Sequence, residues 1–369
     1  MLVTTLPSAV PIGSVVFRHS SRVYTPLLMA IARRRMTTGA PIDNLTSKGT
    51  KEPLHKGAEG PHIRDLLPSP STTQQVKGDW VLFHPVYSSD ELKAVEVLHR
   101  TPQRFSDKFA FGLVKLCRWG FDLVSGYSVK PIPPGSNMSL EELRKGKYVL
   151  DEKQWLTRIL FLESIAGVPG MVAATLRHLK SLRLMRRDSG WIHTLLEEAE
   201  NERMHLMTFM TLRNPGIALR ALVLAAQGVF YNIFFLSYII SPKTCHRFVG
   251  YLEEEAVVTY THAIEELERG RLPKWEKMGA PSIAKDYWRL PENATIKDVL
   301  YAVRSDESTH RFVNHSLGNL EPNDVNPFAI REPDMHVMGR TIEFTRERAA
   351  KYVNDSDKLI RDHSSSTKA

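Results

Sequence analysis

The chain has 369 residues, 42% hydrophobic and 24% charged, with a formal net charge of +8. This composition excludes a disordered or fibrous chain and suffices for one large domain or two smaller ones. No Arg/Lys stripe is interleaved with aromatics, so no nucleic-acid partner is expected; Cys117 and Cys245 form neither a disulfide framework nor a CxxC metal site and are expected to be buried, reduced thiols.

Residues 1–42 carry Arg18, Arg22 and Arg33 to Arg35 among scattered Ser and Thr, with no acid before Asp43. Arg-rich and acid-poor is the composition of a mitochondrial transit peptide. Residues 43–108 are expected to be an arm or linker, because Pro, Gly, Ser and Lys recur there without a sustained period. From Phe109 the pattern turns helical: Leu113, Leu116, Trp119 and Leu123 share a side, with Lys115, Arg118 and Asp122 around it. Such a helix suits a membrane interface or a domain surface equally.

A helix is expected from about Lys153 to Leu182, with Glu163 alone in a stripe of apolar and small residues and a bend at Pro169. Trp191 to Leu212 follows, and Asn214-Pro215 is a cap-plus-proline signal for the next helix. That helix contains Ala221 to Ile240, twenty residues without a charge, long enough to span a bilayer. Spanning would separate Glu163, Glu202 and His205 from Glu253, Glu307 and His310, so the segment is expected to dip into one leaflet beside the Trp119 helix.

Ser241-Pro242 opens a further helix that Gly270 ends. On it Val249, Glu253, Ala256, Tyr260, Ala263 and Leu267 fall on one stripe, so Glu253 points inward. Glu254 and Glu255 lie off the stripe, and Glu254→Ala should be tolerated much better than Glu202→Ala. After a Pro/Gly-bearing connection with Tyr287-Trp288, Thr295 and Asp298 form a capping box for a last helix carrying Leu300, Val303, Glu307, His310 and Asn314 on one face. Residues 319–369 are expected to be a polar tail, disordered from Ser364.

Two Glu-x-x-His pairs thus stand out: Glu202 with His205 and Glu307 with His310. Each pair projects from one helix face and can close on one metal ion. With Glu163 and Glu253 from two further helices they make the ligand set of a di-iron carboxylate bundle. Burying four carboxylates without compensation is prohibitive, and divalent cations remove that objection. One imidazole per metal among oxygen ligands suits iron or manganese. Asn201 and Asp306, beside the ligands, are candidates to orient them, and Tyr260 is a candidate hydrogen-bond donor or redox-active phenol. The fold expected for residues 109–318 is all-α, a ferritin-like four-helix bundle holding two metals plus two long helices with a membrane-facing apolar surface.

The boxes Leu162-Glu163-Ser164, Asn201-Glu202-Arg203-Met204-His205-Leu206, Leu252-Glu253-Glu254-Glu255-Ala256 and Arg304-Ser305-Asp306-Glu307-Ser308-Thr309-His310 resemble the signature boxes of the mitochondrial alternative oxidases, as do Gly167-Val168-Pro169-Gly170-Met171 and His246-Arg247-Phe248-Val249-Gly250-Tyr251. The resemblance implies a cyanide-insensitive ubiquinol oxidase that reduces oxygen to water without pumping protons, at two iron ions. It implies iron ligation by Glu163, Glu202, His205, Glu253, Glu307 and His310, with Glu202 and Glu307 bridging, and a functional tyrosine at Tyr260. It further implies a ubiquinol pocket of Arg118, Asp122, Arg158, Leu162, Glu255, Ala256 and Thr259, a homodimer interface through Met185, Arg203 and Gln227, and a place on the matrix face of the mitochondrial inner membrane. Ser164 and Ser305 depart from the usual Thr and Ala, and no cysteine before Cys117 matches the regulatory cysteine of plant members, which puts control by an intersubunit disulfide in doubt. Other quinone-linked di-iron proteins, such as a plastid terminal oxidase or a demethoxyubiquinone hydroxylase, and a ferritin-like iron store are the alternatives.

Overall fold

In a computed structural model, residues 85–125, 130–213 and 216–366 are described. The expected transit peptide, most of the arm and the Asn214-Pro215 cap lie outside the described residues. Eight long helices dominate: α1 (Phe105–Ser125), α2 (Glu152–Ala166), α3 (Val168–Leu184), α4 (Trp191–Arg213), α5 (Ile217–Ile240), α6 (Pro242–Glu268), α7 (Ile296–Leu317) and α8 (Arg346–Ser366). Among the described residues there is no strand, only an isolated bridge between Gly279 and Thr295.

Local chemistry sets the helix ends. Asp151 and Gln154 form a capping box at the start of α2, Thr295 and Asp298 do so for α7, and the Ser241 hydroxyl accepts from the Thr244 amide ahead of Pro242 in α6. The single bent helix expected across residues 153–182 is two helices, α2 and α3, parted at Gly167. Pro169 occupies the first turn of α3, where the missing N–H has no intrahelical partner to lose, so the chain breaks just ahead of the proline.

The most extensive packing is between α6 and α7; α3 lies on α4, α2 on α4, and α1 on α6. Two apolar clusters fill the interior, one including Val172, Leu195, Phe248 and Phe312, the other Ile159, Phe209, Ile264 and Leu300. On α4, α6 and α7 the Glu and His singled out by sequence fall between residues of one cluster and residues of the other; on the α2–α3 pair Glu163 does the same. The polar site is therefore sealed at both ends by apolar packing.

The segments flanking the expected domain are part of this body. Arg304 and Arg311 of α7 donate to the carbonyls of Leu92 (2.7 Å) and Glu96 (2.9 Å), and the Glu96 amide bonds the Gly339 carbonyl at 3.0 Å. Past residue 318 the expected polar tail instead buries Met335, Met338, Phe344, Ala349 and Val353, and its last helix, α8, continues through Ser366. Its apolar residues are too widely separated by charges to register as a stripe, yet Phe344 stacks edge-on against Phe312 with ring centroids 4.8 Å apart.

Candidate metal centre

The sequence placed six ligands on four helices, and packing gathers them at one point. Atoms of Glu163, Glu202, His205 and Glu307 all lie within 4.8 Å of one another, as do those of Glu202, Glu253, Glu307 and His310. The two groups share Glu202 and Glu307, so these two carboxylates stand between two neighbouring sites. In the first group the His205 Nδ1 lies 3.5 Å from Glu163, 3.4 Å from Glu202 and 3.4 Å from Glu307. In the second, His310 Nδ1 is 2.6 Å from a Glu202 oxygen and 3.9 Å from Glu307.

All six side chains are buried. Glu163 Oε2, both Glu202 oxygens, His205 Nδ1 and His310 Nδ1 are enclosed without a partner in hydrogen-bond geometry. A native interior does not leave such a set of polar atoms without hydrogen-bond geometry, and two cations at their foci would satisfy all of them. The donor set therefore fits a pair of metal ions, four carboxylates and two imidazoles, with oxygen predominating.

Burial, reinforced by Glu202 and Glu307, raises the Glu163 carboxyl to about 8, although the His205 imidazole draws it the other way. Burial and the neighbouring Glu307 and Glu202 also push Glu253 well up. Glu202 is lowered, because the His205 and His310 imidazoles beside it outweigh the burial that opposes its charge. His310 rises to about 9, burial being overcome by Glu202. The raised carboxyls come from crowding like charges into a dry space, a stress that divalent cations relieve.

Around this centre Asp306 acts as the hub. Its Oδ2 accepts from His205 Nε2 (2.9 Å), Asn201 Nδ2 (2.9 Å) and Trp288 Nε1 (2.8 Å), and its Oδ1 accepts from the Tyr87 hydroxyl. With the Nε2–H committed to Asp306, the Nδ1 lone pair of His205 faces the cluster. Trp288 also stacks on the His205 ring, centroids 5.8 Å apart, and Tyr287 accepts from Asn201 at 2.9 Å. Tyr260 donates to Glu163; burial, with Glu163 next in weight, keeps its phenol protonated.

Of these groups, sequence reasoning had singled out Asn201, Asp306 and Tyr260, and missed Tyr87, Tyr287 and Trp288 as partners of the site. It also missed Glu198, one turn before Glu202, which burial raises to about 7 and whose oxygen accepts from Asn314 at 2.8 Å. Glu198 shares the stripe of Leu195, Glu202, His205 and Phe209, so spacing could have found it, whereas the Tyr287-Trp288 pair lies in a connection that shows no period in the sequence.

A second polar group lies where α1, α2 and α6 meet. Arg118 bonds Asp122 at 3.0 Å and Glu255 at 2.8 Å, and Arg158 bonds Asp122 at 2.8 Å. These are four of the seven residues expected in the ubiquinol pocket. Leu162, half-buried, precedes Glu163 on α2; Ala256 and Thr259 follow Glu255 on α6, the Thr259 hydroxyl donating to the Glu255 carbonyl at 2.7 Å. Glu253 and Glu255 thus turn from one helix toward two different polar centres.

A family model described as alternative oxidase matches residues 87–319. The chain belongs to the alternative oxidase family. It is 54% identical over 316 residues to the mitochondrial alternative oxidase of Cryptococcus neoformans var. grubii, covering 83% of this chain and 78% of that protein. It is 58% identical over 276 residues to the mitochondrial alternative oxidase of Emericella nidulans, covering 74% and 75%, and 44% identical over 328 residues to that of Blumeria graminis, covering 87% and 91%.

Glu254, off the ligand stripe, is nonetheless buried, with His99 Nδ1 at 2.6 Å, the Arg100 amide at 3.0 Å and His315 Nε2 at 2.9 Å. Its partners come from distant segments, so spacing along α6 gave no sign of them. One expectation needs correction for this family member. The two cysteines are unpaired, but only Cys245 is buried; Cys117 is exposed on α1. Of the residues expected at a homodimer interface, Met185 and Arg203 are exposed, and Gln227 is half-buried, donating to the Ser164 carbonyl of its own chain at 2.9 Å.

Proposed function

We propose that this chain is a ubiquinol:oxygen oxidoreductase of the mitochondrion, with iron in both metal sites. The observation that carries the reading is the pair of metal-ready groups sharing Glu202 and Glu307, with Glu253 of one group only two residues from Glu255 of the Arg118 cluster on α6. The family it belongs to and the mitochondrial relatives agree with it.

Iron held by Glu163, Glu202, His205, Glu253, Glu307 and His310 would supply the redox chemistry that takes four electrons from two ubiquinols to one dioxygen, yielding two ubiquinones and two waters. The chain's own groups orient the reactants and handle protons. Glu255, tied to Arg118, is the acceptor for a quinol hydroxyl at the meeting of α1, α2 and α6, with Arg158 and Asp122 fixing the ring's edge. The Tyr260 phenol donates to Glu163 and so is placed to pass a proton or an electron to the ligand set. Asp306 and Asn201 hold His205 in the tautomer that ligates through Nδ1.

The protein lies on the matrix face of the inner membrane, without crossing it. The support is an apolar surface made by Phe105, Phe109, Leu116, Trp119 and Leu123 of α1, together with α5. The most apolar window of α5 is only 11% buried, whereas that of the α2–α3 pair is 56% buried and belongs to the core. A homodimer through the flank of α3 and α4 would cover Leu182, Met185, Leu196 and Met207, all exposed.

Oxygen uptake by purified protein with a short-chain ubiquinol, unaffected by cyanide and yielding water, tests the activity, and metal analysis tests for two iron ions per chain. Glu202→Ala, which removes a shared ligand, should abolish turnover. A hydroxylated quinone as product would transfer the chain to the hydroxylases, and iron far above two per chain would mark a store.

A further inference from the structure

Glu255 is held from two directions, and one of its holders has no place in the pocket described so far. Its Oε2 takes Arg118 Nη1 at 2.8 Å; its Oε1 takes Lys115 Nζ at 2.6 Å. Lys115 sits one turn before Arg118 on α1, and its side chain is 53% exposed whereas that of Glu255 is 22% exposed. Its ammonium also lies 5.1 Å from the centroid of the Phe111 ring, four residues earlier on the same helix. Its stem therefore runs along α1 from the outer surface to the carboxylate, so the charged chain Arg158–Asp122–Arg118–Glu255 ends outward on Lys115.

We infer that Lys115 is a positioning residue for the quinol site, fixing the Glu255 carboxylate so that its oxygens face an entering quinol hydroxyl. With Arg118 alone, Glu255 is gripped through one oxygen and can turn about its terminal bond; the second cation removes that freedom. A carboxylate oxygen accepts more than one hydrogen bond, so the Lys115 contact leaves Oε1 able to receive the quinol. Lys115 also bridges the membrane-facing helix α1 to α6, so substrate capture depends on how α1 is seated. This rests on the quinol pocket proposed above.

The test uses the full-length protein in vesicles of neutral phospholipid, with oxygen uptake measured against a short-chain ubiquinol. Lys115→Met should raise KM by about two- to five-fold, the scale of one partly exposed ion pair, while kcat changes by less than that. Lys115→Arg, which keeps the charge and the reach, should restore KM. Because the pair is partly exposed, raising salt should increase KM of the unsubstituted protein and leave that of Lys115→Met nearly flat. An unchanged KM in Lys115→Met overturns the inference. So does a KM rise that persists in Lys115→Arg or that follows a parallel loss of vesicle binding, measured by co-sedimentation. Absence of quinol oxidation in the unsubstituted protein would instead defeat the proposed function itself.

Discussion

Replacing Asp306 by Asn tests whether the shell around the cluster, and not the ligands alone, sets metal affinity. The change is nearly isosteric. The new amide can turn its NH2 toward the Tyr87 hydroxyl oxygen and leave its carbonyl to accept from His205, Asn201 and Trp288, the three donors now 2.9, 2.9 and 2.8 Å from Oδ2. Geometry is therefore kept and only the charge is lost. Hydrogen bonds to an ionised acceptor are roughly twice as strong as neutral ones, and loss of a partner behind a ligand histidine typically weakens metal binding about 10- to 100-fold. The expected outcome is a weakening at the lower end, about tenfold or about 1.4 kcal/mol, because three donors still hold the replacement. Competition with a chelator of known iron affinity reads this directly, and thermal melting of the metal-free protein should move by only a few degrees. Iron affinity unchanged in Asp306→Asn would refute the view that Asp306 governs His205. A collapse of the metal-free fold would show instead that the carboxylate is needed for packing.

Three other outcomes follow from the same interior. Gly250 faces α7 so closely that a Cβ there would lie 2.6 Å from His315 Nδ1, and that ring is pinned by Glu254 and stacked edge-on against Tyr251; Gly250→Ala should therefore destabilise by about 1–2 kcal/mol despite the better helix former, read by urea unfolding. Loading iron at pH 7 should release protons, since Glu163, raised to about 8, and Glu253, pushed up by burial and Glu307, must lose theirs; titration calorimetry in buffers of different ionisation enthalpy measures the number, and no release would contradict the shifts. His246 is buried and neutral, its pKa lowered from 6.5 to about 4 by burial, although Asn314 opposes the shift. Between those values the unfolded chain binds the extra proton, so stability is full above pH 6.5 and falls toward pH 4 by about 1.4 kcal/mol per unit, and His246→Gln should flatten that slope.

The six candidate ligands and the phase of their helices were legible from residue spacing. A Glu and a His three residues apart share a helix face wherever the helix is placed, and Glu253 is separated from Glu254 by its position on an apolar stripe. The caps at Ser241 and Thr295 were legible for the same reason, since each is settled within four residues. What only the tertiary structure decided is which distant groups meet. Tyr87 reaches Asp306 across 219 positions, Asn201 and Trp288 reach it from two other segments, and Glu254 finds His99, Arg100 and His315 on two segments far away in sequence. The burial of Phe344 and Met335 and the exposure of Cys117 belong to the same class. Periodicity reports which face of a helix turns inward, whereas the identity of the neighbour on any face depends on how the helices pack. Here that packing gathers the charged side chains of separate segments around one dry centre.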